Sequence, residues 1–214
     1  TGNAIQMSGG SSLSAHDIQI GDVRRPMLAG KEIQPTGTSV LEASRLELSR
    51  FRMDNIDRHG VACQGNGSQT EVHLRDGVLG RSERLDSNAI AVSSQCVVDA
   101  EGLRLNEVNT LGIIVFDGGR LSMIGSIIGA SQDALFGVMV SRGGFADLSR
   151  VLFRGENVAG LFEAVGATVG LHDVAFRPRE GDDHGGGVFL MGMTSMERVL
   201  FEGIRAGGIA TQTS

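Results

Sequence analysis

The sequence predicts an all-β fold in which one chain winds as a single-stranded parallel β-helix, a β-solenoid of about eight coils. Three observations predict it. A repeat of roughly 24 residues runs along the whole 214-residue chain. Within each copy the apolar residues alternate as they do along a strand, and no segment keeps the 3.6-residue apolar spacing of a helix over several turns. Finally, Gly 32 against Pro 3 points to many tight corners between short strands and not to disorder.

The repeat has two parts. The first superimposes SLSAHDIQIGD, VLEASRLELSR, TEVHLRDGVLG, VVDAEGLRLNE, LSMIGSIIGAS, FADLSRVLFRG, TVGLHDVAFRP and TSMERVLFEGI on the spacing h-x-h-x-x-h-x-h, where h is apolar or small. Its third position is taken by Ile18, Leu46, Gly77, Leu103, Ile127, Val151, Val174 and Val199. The second part is Gly or another small residue followed by h-x-h, at 59–63, 88–92, 111–115, 136–140, 159–163, 186–190 and 207–211. Asn3 to Met7 repeats it without a preceding partner. On this reading the chain starts mid-coil, and residues 1–214 are a single parallel β-helix domain cut from a longer protein.

Stacking would put equivalent residues about 4.8 Å apart in columns. One inward column reads Ile20, Leu48, Leu79, Leu105, Gly129, Phe153, Phe176, Phe201, and ends in a phenylalanine ladder. A second reads Met7, Cys63, Val92, Val115, Val140, Glu163, Leu190, Thr211. Cys63 therefore reads as a small buried hydrophobe, and Cys96, around a corner and one coil on, is not expected to bridge to it. Glu163 breaks its column, and a local shift of strand phase is expected to release it, because an unpaired carboxylate in the core is costly. A corner column, Asp17, Arg45, Asp76, Gly102, Ser126, Arg150, Asp173, Arg198, alternates in sign and is expected to pair along the stack.

The ladder resembles the right-handed parallel β-helix repeats of the pectate-lyase-like superfamily, above all the Gly-rich repeats of bacterial secreted and cell-surface proteins. The resemblance spans essentially all of the chain. It implies right-handed winding, as parallel crossovers generally have. For function it is open, since the same scaffold carries lyases, hydrolases, epimerases and adhesins. Polygalacturonases of the superfamily use an Asp-Asp pair with Asn-Thr-Asp, Gly-His-Gly and Arg-Ile-Lys segments. Here only Asp182-Asp183-His184-Gly185 approaches that pattern, and no catalytic residue is assigned.

Calcium is the one candidate cofactor. Glu180, Asp182 and Asp183 would supply oxygen ligands from the loop at 177–184. His16 and His172 fall in one column but far apart along the axis, so they cannot share a metal. A net charge of -6 without a basic cluster argues against nucleic acid, and no apolar run is long enough for membrane insertion. The absence of Trp and Tyr counts against a sugar-stacking cleft. The reading is a non-catalytic structural or adhesion module, extracellular or on the cell surface; the alternative is a divergent or truncated polysaccharide-active enzyme.

Outward positions carry the remaining signal. In the N-terminal half they are polar or small: Gln19, Glu47 and Arg104 in one column, Gln6, Ala62 and Ala91 in the other. Towards the C-terminus they turn apolar: Ile128, Leu152, Ala175 and Leu200, beside Ile114, Met139, Phe162 and Phe189. An exposed apolar patch of that kind marks a contact, with a protein partner or with another copy of the chain.

Overall fold

The computed structural model describes residues 3–24, 27–28, 31–32, 36–80, 88–108, 111–130, 135–155, 159–177, 187–204 and 208–211. These form an all-β parallel solenoid. Three sheets run along it, and every strand between their ends pairs in parallel with the strand one coil before and one coil after. Sheet A starts at Ile5–Met7 and ends at Ile209–Thr211, sheet B runs from Ser12–His16 to Met193–Glu197, and sheet C from Gln19–Val23 to Leu200–Phe201. An antiparallel pair, Met27–Leu28 with Lys31–Glu32, stands apart from them.

Alternate residues of each strand face the core, which is why the h-x-h pattern was readable. The inward row of sheet A is Met7, Val40, Cys63, Val92, Val115, Val140, Glu163, Leu190, Thr211. The inward row of sheet C is Ile20, Met53, Leu79, Leu105, Ile128, Phe153, Phe176, Phe201. Its three phenylalanines stack as expected, with centroids 4.6 Å apart for Phe153 and Phe176 and 5.1 Å for Phe176 and Phe201. Their bulk explains the glycine that opens the second motif. A Cβ on Gly160 would lie 2.6 Å from the Phe176 ring, and one on Gly187 2.8 Å from the Phe201 ring. Small residues in sheet A thus make room for large ones in sheet C.

The corner between sheets B and C is a ladder of its own. Asp17, Arg50, Asp76, Gly102, Gly125, Arg150, Asp173 and Arg198 all have positive φ, between 49° and 65°. The N–H of each of the first seven donates to a carbonyl one rung on, such as Asp17 N to Ser49 O and Asp173 N to Glu197 O. The left-handed conformation costs about 1 kcal/mol or more at non-glycine residues, and no β-branched residue stands in the row. Charges alternate there: Arg50 Nε donates to Asp17 Oδ1 at 2.7 Å, and Arg198 Nη2 to Asp173 Oδ2 at 2.9 Å. Those hydrogen bonds hold the Asp17 and Asp173 carboxyls below the usual aspartate range.

Two coils depart from the register read in the sequence. In the first, sheet A gains a strand, Thr36–Leu41, that the repeat pattern does not include, and Leu46 and Leu48 belong to sheet B, paired with Val72 and Leu74. Phe51 and Met53 take the places expected of those leucines in sheet C, and Arg50 replaces Arg45 at the corner. The coil is longer than the others, and the alternating Leu46 and Leu48 imitate the missing strand. In the second, the phase differs by one residue. Gly125 takes the left-handed corner, and Ser126, 1% exposed, turns inward, accepting from Leu103 N at 3.1 Å and donating to Ile124 O at 3.0 Å. Ile128 is therefore a core residue with no exposed surface, and Ile127 is the outward one. A satisfied serine won a position that apolarity alone assigns to Ile127.

Two more expectations are corrected. Cys63 and Cys96 form a disulfide, with Cα atoms 5.9 Å apart. The inward end of sheet A strand His59–Gln64 and the first residue of sheet B strand Cys96–Glu101, one coil on, meet inside the core, so the corner between them does not separate the side chains. Glu163 does not leave the core either. It stays in register between Val140 and Leu190, fully buried. Thr194 Oγ1 donates to its Oε2 at 2.5 Å and Gly192 N at 3.2 Å, which offsets part of the burial that a phase shift would have avoided.

Candidate functional site

Sheet B faces outward with the most charged surface among the described residues. Its central outward row is Ser14, Glu47, His73, Asp99, Ser122, Asp147, Gly170, Ser195, flanked on one side by Arg45 and Glu71 and on the other by Arg75 and Glu101. Glu47 lies here and not in the sheet C row, where Arg52 stands between Gln19 and Val78. Glu47, His73 and Asp99 set three titratable groups on successive rungs, an array absent from the outward columns traced above. Its signal was present in the sequence, as the residue between the two apolar positions of each first motif.

The groups engage one another. Arg45 donates to Glu47 Oε1 at 2.8 Å and to Glu71 Oε2 at 3.3 Å, and its hydrogen bond lowers the Glu47 pKa. His73 Nδ1 lies 3.2 Å from Asp99 Oδ2, and its Nε2 lies 3.7 Å from Glu71 Oε2, shielded from solvent. Two shallow depressions adjoin at His73 and Arg75. One, of about 320 Å³, is lined by Ser14, His16, Arg45, Glu47 and Ser49; the other, of about 330 Å³, by Asp99, Glu101, Ser122 and Ile124. An imidazole held by a carboxylate is an oriented base. Among the described residues, however, no hydroxyl or thiol hydrogen-bonds its second nitrogen, and no three metal-ligating side chains converge.

His172 repeats the arrangement further along, 3.7 Å from Asp147 and 3.4 Å from Glu197. It shares its row with His16, five rungs intervening through Ser49, Arg75, Glu101, Ile124 and Ser149, so no common metal is possible. The calcium candidates Glu180, Asp182 and Asp183 lie outside the described residues.

The second surface is apolar. Ile114, Met139, Phe162 and Phe189 form one outward row of sheet A, as expected, and each is half-buried. Phe162 and Phe189 stack at 5.4 Å, and Phe136 closes on Phe162 at 4.8 Å. On sheet C the outward row is Ile127, Leu152, Ala175, Leu200, the last 46% exposed. All the exposed large apolar side chains among the described residues, Leu135, Phe145, Val165, Met193, Leu200 and Ile209, belong to the C-terminal half. No helix among them is long and apolar enough to cross a membrane.

In comparisons with known proteins the chain matches no family model, no curated protein and no solved structure. What is established is the class, an all-β parallel solenoid of repeated coils.

Proposed function

We propose that the chain is a non-catalytic structural or adhesion module, a right-handed β-helix of about eight coils that serves as a rigid stretch of a secreted or cell-surface bacterial protein. The observation that carries the reading is that outward charges are spent on one another along the stack: Asp17 with Arg50, Arg45 with Glu71, Asp173 with Arg198. Such pairs fix register between rungs and leave few groups poised for a reaction. The Cys63–Cys96 disulfide supports an oxidising, extracellular setting. The apolar rows of the C-terminal half serve as its contact surface to protein.

A second reading, a polysaccharide-active enzyme, is favoured by the Glu47, His73, Asp99 row alone. One assay separates the two. The chain is incubated with a panel of acidic polysaccharides, with and without calcium, and new reducing ends and unsaturated products are followed. No turnover is expected. Turnover that disappears in His73→Ala, while the melting temperature holds, would establish the enzyme reading instead. Turnover only with calcium would point to Glu180, Asp182 and Asp183.

A further inference from the structure

We propose that Asn66 is a modification site, where the side-chain amide is lost to water through a cyclic imide formed with the Gly67 backbone. The corner that carries it differs from its neighbours. Four of the corners leading from sheet A to sheet B are turned by two left-handed residues, at 42–43, 94–95, 117–118 and 142–143. Gln64 stands in register with Leu41 and Ser93, and Thr70 with Cys96, so here the same step takes residues 65–69.

The base of this loop is fixed and its tip is open. Gly65 is buried against the next rung: its N–H donates to Ser93 O at 3.3 Å, and a Cβ there would lie 2.5 Å from Ser94 O. Asn66 and Gly67 are exposed, and nothing lies within 4 Å of a Cβ placed on Gly67. Water therefore reaches the tip, and the backbone there is not clamped by stacking.

The tip reads Asn-Gly, which suits ring closure. The Gly67 nitrogen must reach Asn66 Cγ, and glycine puts no side chain in its path. Among the described residues nothing accepts from the Gly67 N–H, so the nitrogen is free to lose its proton and attack. Gln64 Nε2 donates to Asn66 Oδ1 at 3.3 Å and draws electron density from Cγ. The bond from Gly67 N to Asn66 Cγ forms, the Cγ–Nδ2 bond breaks, and the amide leaves as ammonia with the proton that Gly67 gave up. Water then opens the ring at either carbonyl, leaving an aspartyl residue in ordinary linkage or one joined through its side-chain carbon. Either product adds a negative charge four and five residues before Thr70 and Glu71 of sheet B. The linkage through the side chain lengthens the backbone by a methylene, which a loop outside the rungs accommodates. The other asparagines, Asn3, Asn55, Asn88, Asn106, Asn109 and Asn157, precede Ala, Ile, Ala, Glu, Thr and Val, whose side chains obstruct the attack, so the site is single.

The test is ageing of the full 214-residue chain, disulfide intact, in neutral and in mildly alkaline buffer, followed by peptide mapping and ammonia release. The Asn66 peptide should give two products of equal mass, heavier than the parent by the difference between OH and NH2, sooner in alkali and ahead of every other asparagine peptide. Gly67→Ala should slow conversion by about tenfold or more. Asp117→Asn provides the internal control, because it sets the same dipeptide in a two-residue corner. There φ is 49° and 77°, and the carbonyl of residue 117 accepts from Ser94 N at 3.0 Å. Held so, position 117 should convert about tenfold more slowly than Asn66, or slower still. Far-UV circular dichroism and melting confirm that each variant folds. An Asn66 that stays intact, a Gly67→Ala chain as fast as wild type, or equal conversion at 66 and 117 would overturn the proposal. None of these outcomes bears on turnover, so the modification site and the non-catalytic reading fail separately.

Discussion

The N-terminal and C-terminal coils share one core and wear different surfaces. On the rungs from Arg45 to Glu101 the outer face of sheet B carries Arg45, Glu47, Glu71, His73, Arg75, Asp99 and Glu101. Two, three and four rungs after Val97 the column of Arg45 and Glu71 holds Phe145, Thr168 and Met193, and sheet A has turned from Ser39, Ala62 and Ala91 to Met139, Phe162 and Phe189. Inside, the rows run on through both halves. The difference shows that stacking constrains the inward and corner columns and leaves the outward columns free to serve contact or solubility. It also predicts that the two halves answer differently to substitution.

The largest effect is expected in the C-terminal core. Phe176 is 1% exposed and sandwiched between Phe153 and Phe201, so Phe176→Ala should cost about 3 to 5 kcal/mol in chemical denaturation. A cost no greater than that of a surface control would mean the sheet C register is wrong. In the N-terminal half the corresponding fastening is covalent. Cys63→Ser with Cys96→Ser opens a link of sequence separation 33 and should cost about 3 to 4 kcal/mol, measured the same way. An equal stability of oxidised, reduced and double-serine chains would show that the coils do not depend on it.

Next comes the junction around Glu163. A Cβ at Gly192 would stand 2.9 Å from the Glu163 carboxyl carbon and 2.7 Å from the Ala167 carbonyl oxygen. Gly192→Ala should therefore destabilise by about 1 to 3 kcal/mol, whereas Gly118→Ala, where nothing lies within 4 Å of the added Cβ, is felt only through its φ of 77°. If the two cost the same, close packing around Glu163 is not what the alanine disturbs.

The smallest effects belong to the exposed pairs. Arg50→Ala should lower stability less than any of the substitutions above, and less still in high salt. Asp17, Glu47 and Asp173 have carboxyls held below their ordinary values by arginine hydrogen bonds. Their contribution is present above the unfolded carboxylate range and is lost as pH falls through the lower folded values. Melting temperature should thus decline from about pH 4.5 downward, and the decline should shrink in Arg50→Ala and Arg198→Ala. An unchanged acid limb in both variants would remove these pairs from the account.

Much of this was legible in the sequence, for physical reasons that also explain the failures. Strand alternation and the small-residue motif specify the sheets because inward positions tolerate little but apolar atoms. The outward row from Ile114 to Phe189 followed directly. Register failed at Ser126, which two hydrogen bonds satisfy in the core; at Glu163 the register held and the expected phase shift failed, because Thr194 and Gly192 both donate to one of its carboxylate oxygens. Register failed again where Leu46 and Leu48 alternate like the strand they were mistaken for. The Cys63–Cys96 contact depends on how a corner folds side chains together, which spacing does not encode. The Glu47, His73, Asp99 row carries the same alternation, as the outward column of sheet B between the apolar positions of the first motif.

The division between inside and outside is tested most directly by hydroxyl-radical footprinting with residue-level mass spectrometry, at concentrations where the chain is monomeric. Met193, Phe145, Phe162 and Phe189 should be modified well ahead of Met53, Met123, Phe153 and Phe176, pairs of the same residue types that the structure places on opposite sides of the sheets. Equal rates for the two sets, or faster modification of Phe153 and Phe176, would contradict the solenoid register on which everything else rests.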